Sequence, residues 1–359
     1  MSLKLLPYPR FLHPPFGSVS TELPVTRDGV RRVPDGLLSA TTEPAFAELR
    51  ISIKNSDLNS RGICGLLPAA AFLDGSVRPH EETLRTRLER QERCVLADDG
   101  ALGKPVLLTV PSLAAFWAKA DAQHQTTAEQ VNFRGKNNDY RLRPYRALGS
   151  IFSGATEPVS LADLGPLVIA DGHHRAETHA RLSARGVTAC DYIPVCLIGA
   201  DELTIGAFTR VIEDARRPSA LLPALDAYFH HERLPGPVAP THAGEWLMVC
   251  ADTCYRLTRR AGTGDGIDNL WLNQNVLPAV FNINDTSTDK RVAFDATPDP
   301  VDGELHFERE AGKVYLCGVP LPVPDFFAEV EAGRCLPPKS TRFEPRVPSG
   351  LVVWEGLVH

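Results

Sequence analysis

The stretch VIADGHHRAETHARL, residues 168–182, decides how the first half of the chain folds. It overlaps a short apolar run, LGPLVIA at 164–170, that predicts a buried strand. Its histidine-rich part predicts a helix that ends near Gly186, a typical C-terminal cap. Asp171 would be the N-cap of this helix, and Gly172 would let the backbone turn tightly. The sequence therefore predicts a strand, a tight turn and a helix in direct succession.

The turn has the chemistry of an anion site. The N-terminus of a helix presents unpaired N–H groups and a partial positive charge. Its first turn would add His173, His174 and Arg175, whose N–H groups can bind phosphate oxygens. Two other interpretations stay open from these residues alone. One is a metal site that uses His174 and His179, which face each other poorly on a helix, and the other is a capped turn with solvated histidines.

A second candidate segment is HEETLRTRLERQERCVLA, residues 80–97, which predicts a helix with acids in its first turn. His80 and Glu81 lie at its start. The Glu81 carboxylate could accept a proton from an attacking hydroxyl or hold a divalent cation. The alternative is that these acids only complement the helix dipole.

A third candidate segment is PPKSTRFEPRVPSG, residues 337–350, which predicts a loop stiffened by prolines. It contains Lys339, Ser340, Thr341, Arg342 and Arg346, a mixture that suits the binding of phosphate or carboxylate. We expect the C-terminal part of the chain to fold back so that Lys339 reaches the phosphate pocket. The alternative is a surface connector in which Lys339 is solvated.

Composition limits the function classes. The chain has 359 residues, 43% of them hydrophobic, which favours two domains over one. Its formal net charge of -6 argues against a general nucleic-acid binder, because such proteins need a basic surface. No apolar stretch approaches the roughly 18 residues of a membrane-spanning helix. The eight cysteines are scattered without zinc-ligand spacing, which favours reduced cysteines in a cytoplasmic protein.

Strand-like and helix-like segments alternate along the whole chain, which predicts an α/β or α+β fold. The polar segment FRGKNNDYRLRPYRALGS, residues 133–150, predicts an exposed loop. SALLPALDAYFHHERL, residues 219–234, predicts an amphipathic helix.

Three segments taken together resemble one family. RGICGLLPAAAFLDGSVRPHEET (61–83), LVIADGHHRAETHARL (167–182) and LPPKSTRFEPRVPSGLVV (336–353) occur in this order in the bacterial and archaeal family called domain of unknown function 1015. That family resembles the ParB/sulfiredoxin-like superfamily, in which a Gly-x-x-Arg turn at a helix N-terminus binds nucleotide phosphates. The resemblance covers most of residues 60–357. It implies a ParB/sulfiredoxin-like nucleotide-binding domain at 1–205 and a smaller α+β domain at 206–359 that contributes the Lys-Ser-Thr loop.

The resemblance also implies a function. Within that superfamily the resemblance extends to free serine kinases, so we expect a small-molecule kinase. It would transfer a phosphoryl group from ATP or ADP to the hydroxyl of a free amino acid such as serine, with Mg²⁺ as cofactor. Two alternatives are a nucleotide-binding regulator without catalysis and a phosphatase or nucleotide hydrolase that uses the same pocket. No nucleic-acid or membrane partner is expected.

The site residues carry expected roles under this function. The donor's phosphates would be bound by residues of the turn and of the C-terminal loop, namely Gly172, His173, His174, Arg175, Lys339, Ser340 and Thr341. Glu81, beside His80, would be the general base or a Mg²⁺ ligand. Asp171 would orient the turn or bind the same metal ion, and Lys339 would also neutralise charge as it develops.

The chain departs from the family pattern at two places. The segment LHPPFGSVSTELP, residues 12–24, lacks a tyrosine and an aspartate that the family has near its N-terminus. Thr209 in FTRVI stands where the family has a histidine, although Arg210 beside it is kept. Both departures concern the acceptor substrate.

Overall fold

A computed structural model describes residues 3–23, 37–54, 57–122, 129–145, 157–263 and 266–356. The chain forms two compact units: Met1–Thr204 together with Pro345–His359, and Ile205–Glu344. Residue 24 of the divergent N-terminal segment and residues 146–150 of the expected loop lie outside the described residues. Within the described ranges, no helix combines the length and the apolarity needed to cross a membrane.

The first unit is built on a mixed sheet. Among the residues described, its nine strands have the order β3-β9-β10-β5-β6-β13-β8-β12-β7, and two small sheets pair β1 with β11 and β2 with β4. In chain order the strands are β1 (Lys4–Leu5), β2 (Leu12–His13), β3 (Val19–Ser20), β4 (Ser39–Ala40), β5 (Phe46–Ile53), β6 (Asn59–Pro68), β7 (Val77–Arg78), β8 (Val106–Val110), β9 (Val131–Arg134), β10 (Asn138–Tyr145), β11 (Val159–Ser160), β12 (Leu167–Asp171) and β13 (Tyr192–Gly199). The α-helices are α1 (Arg85–Ala97), α2 (Ala114–Asp121) and α3 (His173–Ala184), and short 3₁₀ turns lie at Ala69–Phe72, Thr188–Cys190 and Ala200–Glu202.

The strands β8, β12 and β13 are apolar along nearly their whole length. Every residue of β8 is buried, and so are the first four residues of β12. Sheet strands covered on both faces have such continuous apolar runs, whereas half-exposed strands alternate. The helix α3 connects β12 to β13 and packs Ala176 and Ala180, one turn apart, into the same core as Leu108 and Leu197. The predicted strand, turn and helix are therefore present, and the mixed α/β class is confirmed.

The segment expected to be a loop at 133–150 is instead a hairpin in its described part. β9 and β10 pair with each other, and β10 also pairs along its full length with β5. Tyr140 and Leu142 are buried, while Arg141 between them is exposed. This alternation is that of a strand with one covered face. The loop prediction was wrong because it relied on the many polar residues of one strand face. The apolar residues between them, which form the covered face, were not taken into account.

The helix predicted at 80–97 begins later than expected. It starts at Arg85, after the extended Leu84, so residues 80–84 are not helical. His80 and Glu81 consequently lie in the connection between β7 and α1 rather than at a helix N-terminus. Burial of His80, which leaves 1% of it exposed, fixes this connection against the core. The prediction that Glu81 occupies a helix start was wrong.

The second unit is an antiparallel sheet with helices. Among its described residues, six strands have the order β16-β18-β17-β20-β15-β19, and β14 pairs with β21. The strands are β14 (Thr204–Gly206, at the boundary between the units), β15 (Phe208–Glu213), β16 (Phe229–Leu234), β17 (Glu245–Cys250), β18 (Thr253–Arg259), β19 (Val292–Ala296), β20 (Lys313–Gly318) and β21 (Arg342–Glu344). The helices are α4 (Pro218–Leu225), α5 (Asp268–Trp271), a π-helical turn (Leu272–Val276), α6 (Leu277–Phe281) and α7 (Val323–Glu331).

The helix predicted at 219–234 is correct only in its first half. The helix α4 ends at Leu225, and Phe229–Leu234 form the strand β16, which pairs with β18. In β16 Phe229 is buried while the next four residues are exposed, which is typical of a strand at the edge of a sheet. Strand pairing overrode the helical periodicity of the segment.

The last residues of the chain pack with the first unit, although the sequence-based division placed all of 206–359 in one domain. The N–H of Val353 donates to the carbonyl of Leu12 at 2.9 Å, and the N–H of Trp354 donates to that of Leu102 at 2.9 Å. The N–H of Gly350 also donates to the carbonyl of Gly103 at 2.7 Å. These backbone bonds place the segment after Pro345 beside the residues that precede β8.

A buried carboxylate in the first unit holds several arginines. Glu48 on β5 has no exposed side-chain surface and accepts hydrogen bonds from Arg50 at 2.9 Å and Arg61 at 2.7 Å, and from Arg143. Burial alone would raise the pKa of Glu48, but the hydrogen bonds from Arg143 and Arg50 and the charge of Arg61 outweigh it and lower that pKa. Glu48 therefore stays ionised and neutralises part of a dense positive charge.

We predict that Glu48→Gln lowers the free energy of unfolding by about 3 kcal/mol, because it removes the anion from a largely buried ion network. Denaturant unfolding at pH 7 measures this loss. Glu157→Gln, at an exposed position of the same unit, should change stability by less than about 0.5 kcal/mol. An equal effect of the two substitutions would show that Glu48 has no special part in stability.

Candidate phosphate-binding site

The strand β12 and the helix α3 meet in a turn that differs in detail from the expected one. Asp171 is the last residue of β12, and the N-cap of α3 is Gly172, with φ of 106° in the left-handed region. The pairing of β12 with β8 shifts register between Ile169 and Asp171, as in a β-bulge. The prediction that Asp171 caps the helix was wrong, because the bulge keeps this residue in the strand.

The Asp171 carboxylate is surrounded by cations from three segments. Its Oδ2 atom lies 2.8 Å from the Lys104 ammonium and 3.2 Å from Nη2 of Arg175. Its Oδ1 atom lies 3.6 Å from Nη1 of Arg346. We call these four side chains the Asp171 cluster. Three cations face one carboxylate in it, so the cluster favours the approach of a further anion.

The protonation states in the cluster are fixed by this arrangement. Burial alone would raise the pKa of Asp171, but the charges of Lys104, Arg175 and Arg346 hold it well below its usual range. Burial, together with the charges of Arg175 and Arg346, lowers the pKa of Lys104, although Asp171 opposes this shift. Asp171 is therefore a permanent anion that positions its neighbours.

Gly172 serves both the backbone turn and the placement of Arg175. A Cβ atom at this position would lie 2.5 Å from Nη2 of Arg175, so the guanidinium packs directly over the glycine. Nη2 of Arg175 also approaches the carbonyl of Pro105 at 3.4 Å. Nε of Arg175 is buried and has no hydrogen-bond partner among the described residues. A buried unsatisfied donor is costly, and a ligand would satisfy it.

His173 and His80 form a buried pair beside Glu81. Their ring centroids lie 4.5 Å apart at an interplanar angle of 80°. Nδ1 of His80 lies 2.6 Å from the carbonyl of Ile169, and Nδ1 of His173 lies 3.9 Å from Oε1 of Glu81. Burial lowers the pKa of His80 to about 4, and burial with the nearby His80 lowers the pKa of His173 well below its ordinary value. Both imidazoles are therefore neutral near pH 7.

His174 and Glu177 tie the connection before α1 to α3. Nε2 of His174 accepts a hydrogen bond from the N–H of Leu84 at 2.9 Å. The hydroxyl of Thr83 donates to Glu177. The expectation that His173 and His174 bind phosphate stays a prediction. In the structure His173 is neutral and Nε2 of His174 is already an acceptor, so both histidines anchor the segment that carries Glu81.

The expected Mg²⁺ ligands are Glu81 and Asp171. Asp171 already faces three cations, and a divalent cation beside them would be repelled. Glu81 lies beside His173 instead. In the part of the chain that the structure describes, no three His, Cys, Asp or Glu side chains are grouped as metal ligands are. These residues do not fit a Mg²⁺ site built on Asp171.

Two members of the Asp171 cluster were not predicted as site residues. Lys104 comes just before the apolar strand β8. Arg346 belongs to the segment LPPKSTRFEPRVPSG, in which Lys339 was the expected phosphate ligand. Nothing in the sequence pairs either residue with Asp171. The position of Arg346 in the candidate segment 337–350 could have indicated a role at the site. Lys104 lies in no candidate segment, and only its charge could have indicated such a role.

Lys339, Ser340 and Thr341 belong to the second unit. Lys339 has a positive φ of 64°, and its ammonium lies 5.2 Å from the ring centroid of Phe208. Ser340 is 1% exposed and donates its hydroxyl to the carbonyl of Pro337 at 2.7 Å. Thr341 is buried as well. In this unit the hydroxyl of Ser340 stabilises the loop itself, and a role of the three residues in phosphate binding stays a prediction.

The second departure from the family pattern lies in the core of the same unit. Thr209 is buried and its hydroxyl lies 2.9 Å from that of Thr297. Arg210 beside it has no exposed surface, and burial lowers its pKa to about 10. Its Nη1 atom donates to Asn269 at 2.9 Å, and Asn269 donates in turn to the carbonyl of Ser340 at 3.1 Å. This network links β15 to the Lys-Ser-Thr loop.

The fold and the Asp171 cluster describe a two-unit α/β protein with a candidate phosphate-binding turn. The family model described as "Protein of unknown function (DUF1015)" matches residues 31–276 of this chain. The chain therefore belongs to this family, as the three sequence segments indicated. No curated protein matches the chain.

Solved structures with a similar course of the chain were also found. SbnI with a C-terminal truncation, from Staphylococcus aureus, has 15% identity and a TM-score of 0.45, and the match covers 79% of this chain and 87% of that one. A glutamate-to-glutamine variant of free serine kinase in complex with AMP has 13% identity and a TM-score of 0.40, with 83% and 94% covered. A glutamate-to-alanine variant in complex with ADP has 11% identity and a TM-score of 0.40, with 83% and 96% covered. The expected relation to the ParB/sulfiredoxin-like superfamily stays a prediction.

We predict that His80 makes the stability of the protein depend on pH. Its pKa is near 6.5 when unfolded and about 4 when folded, so the unfolded state binds more protons between these values. The free energy of unfolding should therefore fall as the pH drops from 6.5 towards 4, with a contribution from His80 on the order of 3 kcal/mol. Denaturant unfolding at several pH values measures the slope, which should decrease in His80→Gln. An NMR titration in which the His80 ring protonates near pH 6.5 would contradict this prediction.

Proposed function

We propose that the chain binds a nucleotide through its phosphates at the Asp171 cluster and the N-terminus of α3. We further propose that it transfers a phosphoryl group to the hydroxyl of a small amino acid such as serine. The observation that carries the proposal is the group of Lys104, Arg175 and Arg346 around one carboxylate at a glycine turn. Phosphoryl transfer depends mainly on positioning and on neutralising negative charge.

The start of α3 supports the proposal of phosphate binding. The first intrahelical bond of α3 runs from the N–H of Ala176 to the carbonyl of Gly172. Earlier N–H groups of the turn have no intrahelical acceptor and are suited to phosphate oxygens. The Arg175 guanidinium can bind two oxygens at once, and Lys104 adds a point charge. ATP or ADP would be the donor that presents such phosphates.

The acceptor hydroxyl needs a base, and Glu81 is the candidate. Its Oε1 atom lies 3.9 Å from His173, and its side chain is 14% exposed, so it is close to the turn and reachable by a small ligand. In the proposed reaction the Glu81 carboxylate takes the proton of the hydroxyl as its oxygen attacks the terminal phosphorus. The bond to the bridging oxygen breaks, and the nucleotide leaves with that electron pair. Arg175 and Lys104 would neutralise the charge that develops.

The same proposal gives a role to the C-terminal loop that contains Lys339, Ser340 and Thr341. Lys339 would neutralise charge on the transferred group, with Ser340 and Thr341 next to it. This role is supported by the resemblance of the Lys-Ser-Thr segment and by the residue types. Mg²⁺ is left out of the proposed steps because the surroundings of Asp171 do not fit it.

We predict that Arg175→Ala weakens nucleotide binding by about 1.5–3 kcal/mol, the range for a hydrogen bond to a charged group. Calorimetric titration with ATP and with ADP measures the change. Arg181→Ala is the matched control, since Arg181 lies on the same helix and pairs with Glu177. Equal affinities of Arg175→Ala and the wild type, with the fold intact by circular dichroism, would rule out nucleotide binding at this turn.

We predict that Glu81→Gln keeps nucleotide affinity while turnover with serine falls about 100-fold, as expected when a general base is lost. The assay follows phosphoserine formation and, in parallel, release of inorganic phosphate without serine. Glu82→Gln, at the exposed neighbouring position, should retain wild-type turnover. Nucleotide binding without any product in the wild type would favour the regulator, and phosphate release alone would favour the hydrolase.

A further inference from the structure

One face of the first unit's sheet carries arginines side by side on three neighbouring strands. Arg141 on β10 is directly opposite Arg50 on β5, and Arg50 is directly opposite Arg61 on β6. Directly paired residues of a sheet share a face, and neighbouring strands lie about 4.8 Å apart. We call Arg141, Arg50 and Arg61 the arginine row. Asn132 on β9 continues the row as the partner of Arg141.

Like charges placed opposite each other destabilise a sheet, so the arginine row needs compensation. Glu48 provides part of it through Arg50 and Arg61. Asp121 provides another part, with its two oxygens 2.6 and 2.7 Å from the guanidinium of Arg61. Arg141 is exposed and forms no ion pair within the described ranges. The compensation is therefore concentrated at the β6 end of the row and is weak at the β10 end.

A cleft of about 540 Å³ lies over this face. Besides the arginine row, the cleft is lined by other polar residues of the same strands and of β9, including Arg134, Asn59 and Ser52. Two acids also line it: Asp139 lies 3.4 Å from Lys54, and Glu202 accepts the N–H of Arg61 at 2.6 Å. Asp139 thus has a cationic partner and Glu202 a backbone N–H partner. The volume of the cleft is that of a small-molecule site.

The cleft is separate from the Asp171 cluster. In the sheet order β13 and β8 lie between β6, which carries Arg61, and β12, which ends at Asp171. Three strand spacings correspond to about 14 Å. A small ligand bound along the arginine row would therefore not reach the Asp171 carboxylate or its cations.

We propose that this cleft binds a small polyanion with two or more phosphate or carboxylate groups. Guanidinium groups bind both kinds of anion through paired N–H bonds, and the row sets three of them about 5 Å apart. A ligand with one anionic group would engage only one or two arginines. The net charge of -6 disfavours a long polyanion such as nucleic acid, since the surface outside the cleft would repel it. The inference is independent of the proposed nucleotide site.

The experiment uses the full chain in the Arg175→Ala background, so that the contribution of the proposed nucleotide site is reduced. Calorimetric titrations at low salt are made with inorganic tripolyphosphate, citrate and orthophosphate. We expect tripolyphosphate or citrate to bind at least tenfold more tightly than orthophosphate. The stronger of the two identifies phosphate or carboxylate as the preferred group.

Adding Arg141→Ala to this background should weaken polyanion binding at least tenfold. Arg141 forms no ion pair in the described residues, so its removal leaves the Glu48 network intact. Arg93→Ala, at an exposed position of α1, is the matched control and should leave the affinity unchanged.

Absence of polyanion binding in the Arg175→Ala background would overturn the inference without affecting the nucleotide proposal. Unchanged affinity after Arg141→Ala, in protein that unfolds at the wild-type temperature, would also overturn it. An unfolded Arg141→Ala variant would be replaced by Arg141→Gln, for which the same loss of affinity is expected.

Discussion

The ionised carboxylate of Asp171 is the constraint on which the site depends. A partly buried anion is tolerated only when cations compensate for its lost hydration, and here they come from three separate segments. Lys104 precedes β8, Arg175 lies in α3, and Arg346 lies in the C-terminal segment. The pKa of Asp171 is held well below its usual range, so this attraction persists throughout the pH range of a folded protein. The carboxylate fixes the directions of three cations that would otherwise repel one another.

Arginines and histidines have different roles at the turn. Burial keeps His80 and His173 neutral, so they contribute shape and hydrogen bonds rather than charge. Together with His174 they hold residues 80–84 against α3, and this segment carries Glu81. The positive charge comes instead from arginine and lysine side chains. The positive charge of the turn therefore does not depend on the two buried histidines, and Glu81 is the carboxylate that the segment places beside His173.

The sequence predicted the parts of the structure that local patterns encode. The apolar run before Asp171 predicted the strand, and Gly172 predicted the turn. The helical spacing of Ala176 and Ala180 predicted the helix. The start of α1 at Arg85 was not predictable, because burial of His80 against the carbonyl of Ile169 is a tertiary contact. For the same reason Lys104 was missed and Arg346 was given no role beside Asp171, since only the sheet order and the backbone bond between Gly350 and Gly103 bring them to the turn. The strand β10 was predictable from its alternation but was read as a loop because its exposed face is strongly charged.

The arginines on that exposed face repel one another, as the cations around Asp171 do. Aligning Arg141, Arg50 and Arg61 costs electrostatic free energy, and hydrophobic burial on the other face, where Ile51 and Leu142 are at most 1% exposed, stabilises the strands despite it. Glu48 and Asp121 remove part of the cost from within the protein. A bound polyanion would remove more, and by mass action it would add stability of RT ln(1 + [L]/Kd). Because β10, β5 and β6 are continuous with β13 and β8, such a ligand would stabilise the same sheet that supports the Asp171 turn. Ligands at the two proposed anion sites would thus each add stability to the same sheet, without any contact between them.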